Sequence, residues 1–340
     1  MFDLSKIVRP NILALKPYSS ARDEFKGTAT AYLDANENPY GMFNRYPDPQ
    51  QKQLKEALSK LKNVPQENIF VGNGSDEAID LCYRIFCEPG KDSALTFTPT
   101  YGMYSVSADI NNVTLVELPL DKNFQIDVDK TLPLFKRENL KLVFICSPNN
   151  PTGNSIDAIE TILKNFDGIV VVDEAYIDFS ASASLLEKLE LYPNLVVLQT
   201  FSKAWGLAAA RVGLAYASAE IISYFNKVKP PYNVSRLNYT VALAAISQPE
   251  LFENQKNKLL AEREKMVHSL QKLNVVKKVY PSDANFLLVE VTDADGIYNS
   301  LVQKGIILRN RNNVVPDCLR ITIGSAEEND LLLTALNELP

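Results

Sequence analysis

The chain has 340 residues, of which 46% are hydrophobic and 22% charged, and its formal net charge is −6. This length exceeds the roughly 250–300 residues at which a single core usually stops growing, so we expect a globular protein of two domains. The charge gives no support for a nucleic-acid partner, and no apolar run approaches the ~20 residues that would span a membrane. The first six residues lack the pattern of a secretory signal, which predicts a cytoplasmic protein.

The cysteines and the single histidine restrict the chemistry. The four cysteines show no CxxC spacing and fall mostly in apolar runs, where a free cysteine behaves as a small hydrophobic residue. His268 lies in a charged helical run, which predicts a surface position. The sequence therefore argues against Ser-His-Asp or Cys-His catalysis and against a histidine-rich zinc site, and no metal is expected.

Hydrophobic patterns predict an arm followed by alternating strands and helices. Residues 1–35 carry no strong period and are interrupted by prolines, so we expect an arm laid over a neighbour. Strands are predicted at residues 69–71, 94–97, 113–118, 142–146, 169–172 and 195–198, and helices at residues 50–61, 78–86, 100–110 and 155–164. Such alternation implies a largely parallel sheet covered on both faces.

The pattern changes near residue 233. Long helices follow, most clearly at residues 251–273, and strands at 284–291 and 318–323 are separated by a further helix. We therefore predict an N-terminal arm (1–35), a large domain (36–232) and a smaller α+β C-terminal domain (233–340).

A glycine loop follows the first predicted strand. Residues 72–77 read Gly-Asn-Gly-Ser-Asp-Glu, and a helix that starts after such a loop presents free backbone N–H groups to an anion. Ser75 or Asp76 could equally be a simple N-cap of the helix. The loop lacks the third glycine of the dinucleotide fingerprint and the Gly-Lys-Ser/Thr of a P-loop, so it predicts neither.

Lys203 lies in the stretch 199–206, directly after a predicted strand. Ligands in open α/β sheets bind beyond the carboxyl ends of the strands, which is where this lysine falls. Thr200 and Ser202 flank it and Arg211 follows eight residues later, so the stretch offers an amine nucleophile beside an anion site. Taken alone, the stretch is equally consistent with a solvated lysine after a strand.

Two other motifs end predicted strands. Residues 147–153 read Ser-Pro-Asn-Asn-Pro-Thr-Gly and include Asn150, and the next strand ends at Asp173, followed shortly by Tyr176. With Lys203 they bring an amide, a carboxylate, a phenol and an amine to one sheet edge, which is the set of groups that a pyridine aldehyde cofactor requires. An ATPase interpretation of the acidic motif is disfavoured, because no P-loop precedes it.

These motifs resemble those of the fold-type I pyridoxal phosphate aminotransferases, and residues 32–41, 45–48, 147–153 and 319–324 are similar specifically to the histidinol-phosphate aminotransferases. The similarity extends over nearly the whole chain. It implies an α/β fold-type I transferase, with a mostly parallel sheet between helices in the large domain. It also implies exchange of an amino group between L-histidinol phosphate and 2-oxoglutarate, giving imidazole acetol phosphate and glutamate, in histidine biosynthesis.

The resemblance implies roles for residues around pyridoxal 5′-phosphate. Lys203 would carry the cofactor as a Schiff base and would act as base and acid. Asp173 would pair with the pyridinium nitrogen, Asn150 and Tyr176 would hydrogen-bond the ring oxygen, and Tyr101 would stack on the ring. The cofactor phosphate would be held by the loop Gly74, Ser75 and Asp76, by the hydroxyls of Thr200 and Ser202, and by Arg211.

The resemblance also implies a homodimer with a shared active site, because Tyr46 matches a tyrosine that the partner subunit contributes. Arg320 resembles the arginine that holds the substrate carboxylate. Tyr18 and Arg309 match positions that contact the phosphate end of the substrate, and Asn36 is assigned to the substrate on the same basis.

Three points stay open at this stage. Arg309 and Arg311 lie on the same face of a strand by a period of two, so either could meet the substrate phosphate. A threonine-phosphate decarboxylase and a broad aromatic aminotransferase use the same scaffold and are alternative functions. A catalytically silent cofactor-binding module is a third alternative, which the retention of every chemical residue disfavours.

Overall fold

The computed structural model describes residues 2–339 apart from residues 20, 26 and 28. The described α-helices are α1 (Pro10–Ala14), α2 (Ala21–Glu24), α3 (Lys52–Lys62), α4 (Ser75–Phe86), α5 (Met103–Ile110), α6 (Val128–Thr131), α7 (Ile159–Asn165), α8 (Ala219–Val228), α9 (Arg236–Ile246), α10 (Pro249–Leu270), α11 (Ala294–Gln303) and α12 (Ala326–Asn337). The strands are β1 (Ile69–Gly72), β2 (Ser93–Thr98), β3 (Thr114–Pro119), β4 (Leu140–Cys146), β5 (Ile169–Asp173), β6 (Leu195–Thr200), β7 (Gly213–Ala217), β8 (Val276–Val279), β9 (Phe286–Val291), β10 (Arg309–Asn310) and β11 (Cys318–Thr322).

The larger sheet has seven strands in the order β1-β7-β6-β5-β4-β2-β3. Strands β2 to β6 are joined by parallel pairings, whereas β7 runs antiparallel to both of its neighbours, β1 and β6. The predicted α/β class with a mostly parallel sheet is therefore confirmed. The antiparallel strand β7 was not predicted, because its sequence Gly-Leu-Ala-Tyr-Ala contains no β-branched residue.

Helices cover this sheet on both faces, which explains why all five residues of β5 are buried. Val171 packs in the core formed with α4, α5 and α8. Val170 and Val172 point to the opposite face, where they pack in the core that α3, α7 and α9 complete. Continuously apolar strands of this kind can therefore be predicted from the sequence. The sequence does not predict which face of the sheet each side chain enters.

The smaller sheet has the order β10-β11-β9-β8, and its pairings are all antiparallel. Its core contains Leu287, Val289 and Ile321, against which α10, α11 and α12 pack. Arg263 of α10 donates hydrogen bonds from Nη1 to the carbonyl oxygens of Ala284 and Phe179, so the helix also contacts the larger sheet's loops. This sheet places β10 and β11 over the edge of the larger one.

The N-terminal segment packs on the large sheet's core through Leu4, Val8 and Ile12, which are buried. Positions 1, 20, 26 and 28 of the predicted arm lie outside the described residues. The division of the chain at residues 35 and 232 stays a prediction. Just beyond the second boundary, Val234 and Ala242 contribute to the core of the large sheet.

Two predicted helices begin later than expected. The helix predicted at 100–110 starts at Met103, and the one predicted at 155–164 starts at Ile159. In the second case Ser155 donates from its backbone and its hydroxyl to Asp283 Oδ2, at 3.3 and 2.6 Å, which holds the segment before α7 as a loop against the smaller domain. Among the described residues, no helix combines the length and apolar character needed to cross a membrane.

Candidate active site

A cleft of about 540 Å³ opens where the parallel strands β4, β5 and β6 end. Cys146, Asp173 and Leu198 lie side by side across these strands, so the loops that follow them meet at one edge. The smaller sheet supplies the opposite wall with arginines from β10 and β11. The residues that line the cleft are Ser75, Asp76, Tyr101, Gly102, Met103, Val106, Cys146, Asn150, Asp173, Ala175, Tyr176, Thr200, Ser202, Lys203, Arg211, Arg309, Arg311 and Arg320.

Lys203 is half-buried in this cleft, and its Nζ lies 5.5 Å from the centre of the Tyr176 ring. Burial lowers the pKa of Lys203, and the positive charge of Arg320 lowers it further. A lowered pKa increases the fraction of the neutral amine, which is the nucleophilic and basic form. Lys203 therefore lies in the cleft rather than on the open surface.

Asp173 is the last residue of β5 and is buried. Its Oδ2 accepts a hydrogen bond from the Tyr104 hydroxyl at 3.0 Å, and its Oδ1 accepts one from the Ala175 N–H at 3.1 Å. Burial raises the pKa of Asp173 to about 6, although these two donors oppose the rise. No cation among the described residues hydrogen-bonds to Asp173, so this buried carboxylate can receive a cationic ligand group in the cleft.

Asn150 connects the two walls of the cleft. Its Oδ1 accepts a hydrogen bond from Nη1 of Arg320 at 2.5 Å, and its amide nitrogen donates to the Tyr176 hydroxyl at 3.5 Å. Burial raises the pKa of Tyr176, so this phenol stays protonated near neutral pH. The Asn150 amide and the Tyr176 hydroxyl, which would contact the cofactor's ring oxygen, are thus held next to each other.

The start of α4 forms an anion cradle. Gly74 is the N-cap, with φ of +81°, and Ser75 and Asp76 are the first helical residues, so neither of them is the cap that we considered. The first N–H groups of a helix have no partner within it and carry the positive end of its dipole. A Cβ on Gly74 would lie 2.6 Å from Nη2 of Arg211, so glycine lets this guanidinium approach the cradle.

Arg211, two residues before β7, completes the cradle. Its Nη1 lies 3.4 Å from the Ser202 hydroxyl, and its Nη2 lies 3.4 Å from Oδ2 of Asp76. Thr200, at the end of β6, accepts a hydrogen bond from the Ser202 N–H at 3.1 Å and fixes the turn that carries Ser202. Hydroxyls, helix N–H groups and a guanidinium are the donors that a phosphate dianion requires.

Tyr101 lies on the wall between the cradle and Asp173. Its hydroxyl donates to Oδ1 of Asp76 at 3.1 Å, and its ring meets the Tyr104 ring edge to face at 5.7 Å. Both contacts fix the ring against the cleft, where it can stack on a flat ligand.

Three arginines form the opposite wall. Arg309 and Arg320 are directly opposite each other in the β10–β11 ladder, and Arg311 follows two residues after Arg309. The Nε atoms of Arg311 and Arg320 are buried, and neither has a hydrogen-bond partner among the described residues. Burial lowers the pKa of Arg311, and its two neighbours lower it further. Clustered cations with orphaned donors form a site for anionic ligand groups.

Three predicted site residues lie elsewhere in the single chain. Tyr46 stacks on Tyr232, with ring centres 4.4 Å apart, and with Asn36 it lines a separate cleft of about 500 Å³. Tyr18 is 71% exposed and lines neither cleft. Their roles stay predictions: Tyr46 was assigned to a site shared between two subunits, and Tyr18 and Asn36 were assigned to the substrate.

The sequence analysis missed Tyr104, the hydroxyl donor to Asp173. Tyr104 lies three residues after Tyr101, within the helix predicted at 100–110, and that spacing was the available signal. A fully buried tyrosine in an apolar run is indistinguishable by pattern from a core residue. Met103, Val106 and Cys146 line the cleft and were also not predicted.

The residues of the cleft fit pyridoxal phosphate: they comprise a phosphate cradle, an aromatic platform, a buried carboxylate and an amine of lowered pKa. Comparison with known proteins agrees. The family model for class I and II aminotransferases matches residues 18–336. The histidinol-phosphate aminotransferase of Parabacteroides distasonis is 55% identical over 344 aligned positions, which cover 100% of this chain and 99% of that protein. That of Cytophaga hutchinsonii is 53% identical and covers 98% and 99%.

A solved structure gives the same result at the level of the fold. The histidinol-phosphate aminotransferase of Sinorhizobium meliloti, in complex with pyridoxal-5′-phosphate, superimposes with a TM-score of 0.79 at 26% identity, covering 86% of this chain and 82% of that one. The chain therefore belongs to the class I and II aminotransferases and, within them, to the histidinol-phosphate aminotransferase family.

Proposed function

We propose that the protein is a pyridoxal-phosphate-dependent aminotransferase that exchanges an amino group between L-histidinol phosphate and 2-oxoglutarate, in histidine biosynthesis. The observation that carries this proposal is the placement of Lys203, Asp173 and the arginine wall around one cleft. The full-length similarity to histidinol-phosphate aminotransferases supports the choice of substrate.

The cofactor, when bound, supplies a ring that accepts the electron pair left behind when the substrate carbon loses its proton. Asp173 would keep a proton at the ring nitrogen, which requires the carboxylate form of this buried side chain. The Lys203 amine would hold the cofactor and would move the proton at the substrate carbon, and its lowered pKa suits it to both tasks.

The remaining residues of the cleft would bind the cofactor and orient its ring. The α4 N–H groups at Ser75 and Asp76, the Ser202 hydroxyl and Arg211 hold the cofactor phosphate, with Thr200 fixing the turn below. Asn150 and Tyr176 hold the ring oxygen, and Tyr101 covers the ring face. Helix dipole and guanidinium both favour the dianion, so the phosphate anchors the cofactor.

Both substrates are anions, and the arginine wall suits both. Histidinol phosphate carries a phosphate, whereas glutamate carries two carboxylates. Arg320, which contacts Asn150, holds the α-carboxylate of glutamate, and Arg309 or Arg311 holds the phosphate or the distal carboxylate.

The test is a product assay on the purified protein. With L-histidinol phosphate and 2-oxoglutarate we expect stoichiometric glutamate and no carbon dioxide. Carbon dioxide release from threonine phosphate would indicate the decarboxylase alternative instead. Turnover of phenylalanine as fast as that of histidinol phosphate would indicate a broad aromatic aminotransferase, and the absence of all three activities would indicate a silent module.

We further propose a cytoplasmic homodimer in which each subunit completes the site of the other. Tyr46, Asn36 and Tyr18 lie outside the main cleft of their own chain. They belong to a segment with an unusually exposed set of apolar side chains, and such a patch on a globular protein marks an interaction surface. Its members are Tyr32, Leu33, Tyr40, Met42, Phe43 and Tyr46. A second copy of the chain would cover this patch and bring Tyr46 to the neighbouring cofactor phosphate.

A further inference from the structure

Tyr104 is a buried tyrosine that the mechanism above does not use. It belongs to α5, its side chain is fully buried, and its ring stacks on Phe144 with centres 5.1 Å apart. Core packing alone would be satisfied by phenylalanine. The hydroxyl instead donates to Oδ2 of Asp173 at 3.0 Å.

The contact is directional and is backed by a second donor. The Ala175 N–H donates to the other oxygen of Asp173 at 3.1 Å, so each carboxylate oxygen has one donor from the protein. Each oxygen keeps a further lone pair for a group in the cleft. Two donors on separate oxygens fix the plane of the carboxylate and leave it facing the ligand.

Tyr104 is also coupled to the ring platform. Tyr101 lies three residues before it, in the loop that leads into α5, and meets its ring edge to face at 5.7 Å. Residues 101–104, at the start of α5, therefore place the Tyr101 ring against the cleft and the Tyr104 hydroxyl against Asp173.

We propose that Tyr104 is a positioning residue, whose hydroxyl holds the Asp173 carboxylate in the orientation and ionised form that the cofactor's ring nitrogen requires. This inference rests on the proposed function, because it assigns a ring nitrogen to Asp173. The residue acts through Asp173 and does not itself touch substrate or cofactor.

The charge state of Asp173 depends on groups from every element around it. The titratable groups that face it are Tyr104 from α5, Cys146 from β4, Asp76 from α4, and Tyr101, Tyr176 and Lys203 from the adjoining loops. Burial raises the pKa of Asp173 to about 6, and the Tyr104 hydroxyl is the strongest influence that opposes this rise. Removing a hydrogen bond to a charged group should therefore raise that pKa by about one to two pH units.

The test is the pH dependence of binding of pyridoxamine 5′-phosphate to the full-length apoprotein, followed by the fluorescence of Trp205, the single tryptophan. This probe forms no bond to Lys203. Wild-type affinity should fall below about pH 6, where Asp173 becomes protonated. In Tyr104→Phe the midpoint should move up by about one to two pH units, so that affinity at pH 6.5 falls by roughly tenfold relative to its high-pH limit.

Tyr83→Phe is the matched control. Tyr83 is buried in the same aromatic stack, and its hydroxyl donates to the Tyr104 carbonyl oxygen at 2.9 Å, away from Asp173. This variant should keep the wild-type midpoint. The wild type and both variants keep Lys203, so the titration of this lysine cancels when their midpoints are compared. An unchanged midpoint in Tyr104→Phe would overturn the inference, whereas failure of the wild type to bind the probe would overturn the cofactor assignment as well.

A measurement on proteins that keep Tyr104 covers the case in which the phenylalanine variant does not fold. The measurement is NMR of protein in which tyrosine is labelled by ¹³C at Cζ, and the Tyr104 signal is identified by its contacts to the Phe144 ring. In the wild-type apoprotein the chemical shift of this signal should change with pH, with a midpoint near 6. The titration should disappear in Asp173→Asn. A Tyr104 signal that does not respond to pH in the wild type would contradict the proposal.

Discussion

At the scale of the residue, burial of Asp173 gives the apoprotein a measurable pH dependence of stability. The folded pKa of about 6 lies above the usual value near 3.9, so this group stabilises the fold at low pH relative to high pH. The contribution of Asp173 to the free energy of unfolding is lost as pH rises through 6. Asp173→Asn removes the effect, and the unfolding free energy of the variant minus that of the wild type should increase by roughly 1–1.5 kcal/mol between pH 5 and pH 8.

Denaturant unfolding of the two apoproteins at both pH values measures this difference. The effects of groups that do not interact with Asp173 cancel, because the proteins differ at one position. A constant difference between the two pH values would show that Asp173 is already ionised at pH 5. In the loaded enzyme the same substitution should slow proton removal from substrate by orders of magnitude, while cofactor affinity falls much less.

The arginine wall makes a second prediction at this scale, concerning substrate choice. Truncating the arginine that holds the phosphate removes a charge-assisted contact worth about 1.5–3 kcal/mol, or roughly ten- to hundredfold in affinity. Arg309→Ala should weaken histidinol phosphate strongly and glutamate less, and Arg320→Ala should do the reverse. Single-turnover measurements of each half-reaction give the two affinities separately.

Arg311→Ala serves as the internal comparison, because Arg311 lies in the same cleft with an orphaned Nε. If its loss weakens histidinol phosphate more than that of Arg309, Arg311 is the phosphate ligand. If neither arginine affects the phosphorylated substrate, the broad aromatic aminotransferase becomes the better hypothesis.

At the scale of the element, the approach of β7 to the start of α4 decides whether the phosphate cradle forms. A Cβ on Gly213 of β7 would overlap the backbone of Gly74 and Ser75. Gly213→Ala should therefore push α4 away, destabilise the apoprotein by about 1–3 kcal/mol and weaken cofactor binding. Gly102→Ala is the control, since a Cβ there meets nothing within 4 Å. Equal melting temperatures for the two variants would contradict this account.

The same elements show what the sequence can and cannot reveal. Strands β4, β5 and β6 were predictable because burial on both faces makes them continuously apolar, and the order of the motifs after them located Asn150, Asp173 and Lys203. Strand β7 and the two-residue β10 were not, since β7 contains no β-branched residue and β10 contains no apolar residue. Tyr104 was missed for a different reason: its hydrogen bond joins residues 69 positions apart.

At the scale of the whole molecule, the account requires two subunits for each active site. Lys203→Ala should give a folded, inactive dimer that still binds cofactor phosphate, and a Tyr46→Ala dimer should be impaired at the neighbouring site. Mixing the two under conditions of proven subunit exchange should restore one competent site per heterodimer. No recovery of activity would contradict a shared site, provided that the Tyr46 substitution is inactivating alone.

The central claim is that the cleft at the edge of the large sheet binds pyridoxal phosphate through Lys203. Borohydride reduction of the purified protein, followed by peptide mass spectrometry, tests it most directly. The account predicts loss of the yellow colour and a single phosphopyridoxyl label on Lys203, with no label in Lys203→Ala. A label on a different lysine, or an unlabelled Lys203 in a protein saturated with cofactor, would contradict it.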